Sequence, residues 1–252
     1  MDGDLICYRA AASCEPTKAK QFLEPPEVAT WRLHDMIERI ATATNSQDFE
    51  FYIGGSDNFR YNIYPEYKGN RTKEKPNYLE ACRELLVTQY KATIVNGMEA
   101  DDALGIAQTK YDGTSRICSL DKDLLMIPGY HYNWVTGVER IVSPLDGLRT
   151  FYKQIILGDK SDNIPGYDGK LRGECPKFIE KIMEPLDEMT HEIDMYWYVK
   201  DCYDNQYNDY DAELAIQTMH RNAQLLYILK EEGRFWKPPG HLDVSEPLLQ
   251  AS

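Results

Sequence analysis

Hydrophobic residues along the first half of the chain follow two patterns that alternate. One pattern repeats at helical spacing and predicts helices over 27–44, 78–91 and 99–110. In the first of these helices, roughly one helical face is expected to carry Val28, Trp31, Ile37 and Ile40. The other pattern is short, alternating or wholly apolar, and predicts strands over 49–53, 92–95, 116–120 and 130–135. Alternating strands and helices are typical of a parallel sheet with helices packed against it, so an α/β fold is expected.

The chain after residue 142 has a different pattern. Ser143 and Pro144 are typical of a helix N-cap and a first helical position, and the residues that follow predict helices only. We therefore expect a central, mostly parallel sheet flanked by helices over 1–142. A C-terminal helical subdomain is expected over 143–252.

Charge is distributed unevenly along the sequence. The chain has 252 residues, with 41 acidic against 28 basic side chains and a formal net charge of -13. Such a balance argues against general affinity for phosphate, which depends on Lys and Arg. Acidic residues crowd the stretch 187–213, whereas the stretch 60–75 is rich in basic residues. One local basic patch is therefore available for a nucleic acid.

The sequence also indicates the compartment. It contains no apolar run of about 18 residues, and its first residues, Met1 to Asp4, do not resemble a secretory leader. Six cysteines occur without a C-x-x-C pair, which predicts reduced, mostly buried thiols and no zinc site. We expect a soluble, cytoplasmic protein with no membrane partner.

Acidic residues follow the predicted strands at the points where the strands end, and a further acidic group follows the helix that begins at Ser143. In an open α/β sheet, the carboxyl ends of parallel strands meet at one crevice, where ligands bind. Together with an acid near the first residue, the set comprises nine carboxylates: Asp2, Asp57, Glu99, Asp101, Asp102, Asp121, Asp123, Asp159 and Asp162. Each group alone is also explained by a helix cap or a turn, but their joint placement favours a site.

Clustered carboxylates require compensating cations. Two like charges about 4 Å apart repel by roughly 4 kcal/mol at an effective dielectric constant near 20. All-oxygen ligands suit Mg²⁺ or Mn²⁺, and nine carboxylates exceed what one such ion uses, so two ions are predicted. Two ions can stabilise both the attacking water and the leaving oxygen of a phosphodiester.

These residues, in this order, resemble the 5' nuclease family of flap endonucleases and 5'-3' exonucleases, particularly its bacterial and bacteriophage members. The similar motifs are Asp2-Gly3-Asp4 with Tyr8-Arg9-Ala10, Asp57 with Phe59-Arg60, Tyr67-Lys68 and Arg71, Gly97 to Asp102, Asp121 to Leu125, and Gly158 to Gly166. The resemblance covers about residues 2–185, and the stretch 227–239 is similar to the tail of phage exonucleases.

The resemblance implies a PIN-like 5' nuclease core that hydrolyses DNA 5' ends or 5' flaps with two Mg²⁺ or Mn²⁺ ions. It implies one ion surrounded by Asp2, Asp57, Glu99, Asp101, Asp102 and Asp121, and a second completed by Asp123, Asp159 and Asp162. Lys68 and Arg71 are expected to be catalytic, because cations near the scissile phosphate stabilise charge that grows in the transition state. The candidate DNA contacts are Arg60, Tyr67, Lys73, Lys170, Arg172 and Lys177.

The implied partner is DNA with a single-stranded 5' end or flap, and an RNA–DNA hybrid is a further candidate. A monomer is expected, acting in DNA replication or repair in a bacterial or phage-infected cell. The runner-up interpretations are a PIN-like metal-dependent ribonuclease and a metal-dependent DNA-binding protein with an impaired nuclease site.

Two positions depart from the family pattern. Only Met1 precedes Asp2, where a strand is expected, so either that strand is missing from this chain or residues 4–8 serve differently. The glycines after Gly166 are irregularly spaced, which argues against the K⁺ ion that the family holds in this turn. Direct phosphate contacts by Lys170 and its basic neighbours are the expected replacement.

Overall fold

The computed structural model describes residues 1–72, 74–170, 178–207 and 211–240. The chain forms two compact units. The first comprises residues 1–151, 161–163 and 228–234, and the second comprises residues 152–160, 164–227 and those from 235 onward. Among the described residues, no helix is long and apolar enough to cross a membrane.

The first unit contains the strands and helices that the pattern predicts. Its helices are α1 (Gly3–Ala12), α2 (Pro26–Thr44), α3 (Arg60–Ile63), α4 (Leu79–Tyr90) and α5 (Ala100–Lys110), and it shares α6 (Pro144–Leu157) with the second unit. Its strands are β1 (Tyr52–Gly54), β2 (Thr93–Val95), β3 (Arg116–Cys118), β4 (Gly129–Asn133) and β5 (Val138–Val142). The α/β prediction is confirmed, while α1, α3 and β5 are additions to it.

The strands form a mostly parallel arrangement. β1 pairs in parallel with β2, and β3 with β4, whereas β5 runs antiparallel to β4. Asp2 joins the two groups, because it forms a parallel bridge with Tyr52 and its N–H donates to the Cys118 carbonyl at 3.1 Å. Met1 and Asp2 therefore occupy the place of the strand that was expected before the first acid.

Residues 4–8 are helical and do not replace that strand. Asp2 caps α1, since its Oδ1 accepts the N–H of Leu5 at 2.9 Å. A Cβ atom at position 3 would come within 2.6 Å of the Tyr52 carbonyl oxygen, so Gly3 lets the helix start directly against the sheet. The chain thus turns at Gly3 with the Asp2 side chain held at the edge of the sheet.

Helix α2 shows where the hydrophobic pattern was misleading. Its buried face carries Ala29, Leu33, Ile37 and Ile40. Trp31 is 62% exposed, so the prediction that it shares a face with Ile37 and Ile40 is wrong. Successive helical residues are about 100° apart, and Trp31 is two positions from both Ala29 and Leu33, which places it on the opposite side.

In the described residues of the second unit, the regular elements are helices apart from one short strand pair. Its further elements are β6 (Gly158–Asp159), β7 (Ile164–Pro165), α7 (Phe178–Met183), α8 (Pro185–Glu188), α9 (Glu192–Tyr207) and α10 (Ala212–Leu226). β6 and β7 pair antiparallel, which the expectation of helices alone did not include. Asn222 fixes this pair, because its Nδ2 donates to the Pro165 carbonyl at 2.7 Å and to the Tyr203 hydroxyl at 3.0 Å.

Candidate active site

A cleft of about 540 Å³ opens in the first unit where β1, β2 and β3 end. Its walls include five of the predicted metal ligands, Asp2, Asp57, Glu99, Asp101 and Asp121. They also include both predicted catalytic residues, Lys68 and Arg71. The loop after β1 contributes Asp57, the start of α5 contributes Asp101, and the turn after β3 contributes Asp121. The structure thus brings together side chains that lie far apart in sequence.

Two acids of the cleft, Asp2 and Asp101, are affected by burial and by the acids next to them. Burial raises the pKa of Asp2 to about 6, the charges of Asp4 and Asp121 add to this, and hydrogen bonds from Ser119 and Leu5 oppose it. Burial and the nearby charges of Asp2 and Asp121 also raise the pKa of Asp101 well above its usual value. A bound cation would relieve this repulsion.

Glu99 has a different environment from these acids. The Lys68 ammonium donates to its Oε1, and the Tyr67 hydroxyl oxygen lies 3.0 Å from its Oε2. Burial alone would raise the pKa of Glu99, but the charges of Lys68 and Arg60, together with these hydrogen bonds, lower it below its usual value. Glu99 is therefore an ionised carboxylate that is already paired.

Asp162 is paired in the same manner. Arg71 Nη2 donates to its Oδ1 at 2.7 Å, and the Tyr67 hydroxyl donates to its Oδ2 at 2.6 Å. The Lys68 N–H also donates to the Asp162 carbonyl at 2.9 Å. Residues 161–163 are therefore hydrogen-bonded to the segment 68–71, which carries both predicted catalytic residues.

Arg60 and Asp102 have a role other than the predicted one. Arg60 Nη1 lies 2.6 Å from Asp102 Oδ2, and Nη2 lies 2.9 Å from Oδ1, in a two-bond ion pair. The Arg60 side chain is 2% exposed and that of Asp102 is 0% exposed. The prediction that Arg60 contacts DNA is wrong for this structure, and Asp102 faces the core instead of the cleft.

Tyr67, another predicted DNA contact, is also buried in the structure. Tyr67 is 2% exposed, and its ring packs edge-on against the Tyr61 ring, with the ring centroids 5.6 Å apart. The predicted DNA contact is corrected to a buried hydroxyl that joins Glu99 and Asp162. Tyr61 itself is 45% exposed and lines the cleft, as does Tyr8.

The remaining predicted residues lie elsewhere. Asp123 starts a 3₁₀ turn, and its N–H donates to Asp121 Oδ1 at 2.9 Å. Asp159 is buried in β6 of the second unit, where Lys170 is exposed. The predicted DNA contacts Lys73, Arg172 and Lys177 lie outside the described residues.

The cleft also contains an ion pair that was not predicted, between Asp4 and Arg83. Asp4 Oδ2 accepts the N–H of Gly54 at 2.7 Å, and the Asp4 carboxylate is ion-paired with Arg83. Arg83 also donates through Nη2 to the Gly54 carbonyl at 2.5 Å, so the pair fixes the end of β1. A signal existed in the sequence, because Arg83 shares a helical face with the buried Leu79 and Leu86, where a charge requires a partner.

The donor chemistry of the cleft fits a hard divalent ion, although the side chains are not arranged around one. Among the described residues, no three His, Cys, Asp or Glu side chains form a ready-made metal site. The reason lies in the ion pairs, which turn three predicted ligands, Glu99, Asp102 and Asp162, toward Lys68, Arg60 and Arg71. Asp2, Asp101 and Asp121 offer only carboxylate oxygens, the ligands preferred by Mg²⁺ and Mn²⁺.

Residues 1–145 match the family model described as the 5'-3' exonuclease, N-terminal resolvase-like domain. The chain therefore belongs to this family. It is 31% identical over 170 residues to DNA polymerase I of Bacillus subtilis, a match of 55% of this chain and 19% of the relative. It is 28% identical over 185 residues to a 5'-3' exonuclease of Buchnera aphidicola, a match of 66% of this chain and 63% of the relative. The chain thus spans less than two thirds of the length of these relatives.

Solved structures with a similar fold come from bacteriophage T5. The D15 protein crystallised with metal ions superposes with a TM-score of 0.59 at 17% identity, over 90% of this chain and 89% of the other. The D15 flap endonuclease in a complex with DNA and metal ions gives the same TM-score at 18% identity and the same coverage. At such identities the likeness establishes the fold.

Proposed function

We propose that this protein is a divalent-metal-dependent 5' nuclease that hydrolyses phosphodiester bonds at DNA 5' ends or 5' flaps. The observation that carries the proposal is the cleft in which five of the predicted metal ligands lie together with Lys68 and Arg71. Family membership supports it, as does the similar fold of a flap endonuclease crystallised with DNA and metal ions. A role in DNA replication or repair, in the cytoplasm and as a monomer, is part of the proposal.

In this proposal, the carboxylates Asp2, Asp57, Asp101 and Asp121 hold Mg²⁺ or Mn²⁺. When bound, such ions activate the attacking water and stabilise the leaving oxygen of a phosphodiester. Asp162 and Asp123 would contribute to a second ion site. The raised pKa values of Asp2 and Asp101 support this assignment, because carboxylates that repel one another are stabilised by a cation.

Lys68 and Arg71 have two alternating partners in the proposed mechanism. In the structure they neutralise Glu99 and Asp162. Glu99 and Asp162 would release these two cationic side chains if the carboxylates held a divalent ion, and the phosphate of the substrate would then offer the cations a new anionic partner. Cations held next to the scissile phosphate stabilise the charge that develops there in the transition state. Ion binding and substrate binding together are therefore expected to separate Lys68 from Glu99 and Arg71 from Asp162.

Lys170 is proposed as a phosphate contact for duplex DNA, since it is exposed in the second unit. Each neutralised phosphate contributes about -0.9 to the slope of log affinity against log salt concentration. Lys170→Ala should therefore flatten that slope by up to about one unit. Replacing K⁺ by Na⁺ at constant ionic strength should leave binding unchanged if side chains, and not a backbone-bound K⁺, contact the duplex. An RNA–DNA hybrid is a second proposed partner.

The decisive experiment compares cleavage of a 5'-labelled flap DNA with cleavage of a hairpin RNA. We expect products from the DNA with Mg²⁺ or Mn²⁺ and none with excess chelator. Cleavage of the RNA alone would favour a PIN-like ribonuclease instead. Tight DNA binding without any cleavage would favour a DNA-binding protein with an impaired nuclease site.

A further inference from the structure

A short segment that follows α10 packs into the first unit. It comprises Ile228–Arg234 and is called the strap below; residues on both sides of it along the chain belong to the second unit. Its first two residues are buried, with Ile228 5% exposed and Leu229 3% exposed. The family model matches residues 1–145 and so does not include the strap. Its contacts are therefore a feature of this chain that the family match does not account for.

The strap crosses α5 at Gly105. A Cβ atom at this position would overlap the Leu229 carbonyl oxygen and would lie 3.1 Å from Ile228 Cγ2. Glycine inside a helix is less favourable than alanine, so its presence requires another reason. The close approach of the strap supplies that reason, because only glycine leaves room for the Leu229 backbone.

The strap also makes a polar contact with α5. The Leu229 N–H donates to Asp102 Oδ1 at 2.9 Å. The other bonds to this carboxylate come from Arg60 Nη2 on Oδ1, and from Arg60 Nη1 and the Glu99 N–H on Oδ2. Asp102 is completely buried, and a buried carboxylate that loses a donor is strongly destabilised. The strap is thus one of the supports of a carboxylate that water does not reach.

Asp102 connects this support to the cleft. It accepts the backbone N–H of Glu99, and it follows Asp101 directly along α5. Its partner Arg60 lies three residues after Asp57 at the start of α3. Neither Ile228 nor Leu229 lines the cleft. Any effect of the strap on the reaction must therefore pass through the position of these acidic side chains.

We propose that the strap is a positioning element of the active site: the Leu229 N–H and its packing on Gly105 hold Asp102, and through it the orientation of Glu99 and Asp101. The inference rests on the proposed nuclease function for its kinetic consequence. Its structural consequence, the affinity of the acids for a divalent ion, does not require that function. Partners of metal ligands typically change metal affinity or activity by about 10- to 100-fold when they are lost.

The test uses the full chain with two independent changes. Gly105→Ala displaces the strap while favouring the helix, so helix weakening cannot explain a loss. Leu229→Pro removes the N–H donor, and Leu229→Ala keeps the N–H while trimming the side chain, so the difference between these two measures the hydrogen bond. Arg234→Ala, at the exposed end of the strap with its side chain 73% exposed, is the matched control. The thermal unfolding midpoint is measured for every variant.

Each variant is titrated with Mn²⁺ by calorimetry and assayed for single-turnover cleavage of a 5'-flap DNA. We expect Gly105→Ala and Leu229→Pro to weaken Mn²⁺ binding and slow cleavage by about 10-fold, with DNA affinity in chelator within about twofold of wild type. The loss should be smaller in Leu229→Ala and absent in Arg234→Ala. Wild-type Mn²⁺ affinity in folded Gly105→Ala and Leu229→Pro would overturn the proposal. If wild-type protein binds Mn²⁺ but cleaves no DNA, the nuclease function fails while the Mn²⁺ comparison still decides the role of the strap.

Discussion

The ammonium group of Lys68 is hydrogen-bonded to the carboxylate of Glu99 inside the acidic cleft. The same ammonium lies 3.8 Å from Asp162 Oδ2. Lys68, a predicted catalytic cation, and Glu99, a predicted metal ligand, therefore neutralise one another in the structure. Because one carboxylate oxygen cannot serve both a metal ion and Lys68 at full strength, the pair is expected to separate when an ion binds.

The first prediction is that Mg²⁺ or Mn²⁺ exposes the Lys68 ammonium. Its acetylation by an amine-reactive reagent, followed by mass spectrometry, should become several-fold faster when the ion is added. Lys20 is the internal control, since it is paired with Glu24, which is not a cleft residue. An equal change at both lysines, or none at Lys68, would show that the ion leaves the pair intact.

The second prediction concerns Arg71. Arg71→Ala should lower the single-turnover rate by about 100-fold, because the loss of one donor at a developing charge typically costs that much. DNA affinity measured in chelator should change little. The Arg71 side chain is 56% exposed, but its charge is already neutralised by Asp162, so it adds little attraction for DNA phosphates. Arg39→Ala, on α2 with its side chain 75% exposed, is the control. A rate loss that saturating DNA restores would make Arg71 a general phosphate anchor.

The third prediction tests the acids directly. Asp121→Ala should lower cleavage by at least about 100-fold, because it removes a ligand that no neighbour replaces. The carboxylate is exposed and lines the cleft, so the thermal midpoint should not fall. Glu27→Ala, which removes an exposed acid in the first turn of α2, should leave activity unchanged. Full activity of Asp121→Ala, or of the wild type in excess chelator, would rule out the proposed metal site.

The sequence predicted the strand ends and the convergence of acids, but not which acid faces the cleft. Asp101 and Asp102 are adjacent, and successive helical side chains point about 100° apart, so one lines the cleft while the other is buried against Arg60. A motif in which both are acidic does not distinguish these directions. Arg60 was wrongly predicted to contact DNA, because a basic residue in a basic segment is equally compatible with a position exposed to solvent.

Other features depend on contacts that no local pattern records. Met1 and Asp2 are too few residues to show a strand pattern. Their hydrogen bonds to Tyr52 and Cys118 show that they take the place of a strand in the sheet. Leu229 and Asp102 are separated by 127 positions, and a backbone N–H carries no sequence signature. Such contacts are determined by the packing of the whole unit.

The fourth prediction concerns the stability of the Arg60–Asp102 pair. Arg60→Met should lower the free energy of unfolding by about 3–5 kcal/mol, because it leaves Asp102 charged, buried and without its main partner. Adding Asp102→Leu should recover only part of this loss, because it removes the unpaired buried charge but leaves the N–H groups of Glu99 and Leu229 without their acceptor. Urea denaturation of the single and double variants measures the coupling. Additive losses would show that the two residues do not act as a pair.

The last prediction follows from His131, which lies on β4 and is 6% exposed. Its Nε2 is 2.7 Å from the Ile127 carbonyl, so the neutral ring donates this hydrogen bond. Burial lowers the pKa of His131, although the hydrogen bond to Ile127 opposes the shift.

The sign of the pH effect follows from this lowered pKa. As the pH falls below about 6.5, the unfolded chain binds a proton at this histidine that the folded chain does not bind. The free energy of unfolding should therefore be highest above that pH. Below it, the free energy should fall by up to about 1.4 kcal/mol per pH unit. His131→Gln keeps an N–H donor for Ile127 but cannot be protonated, and all other titrating groups are common to both proteins. Urea denaturation between about pH 8 and pH 5.5 should show a steeper decline for the wild type, and parallel curves would mean that His131 is not buried in its neutral form.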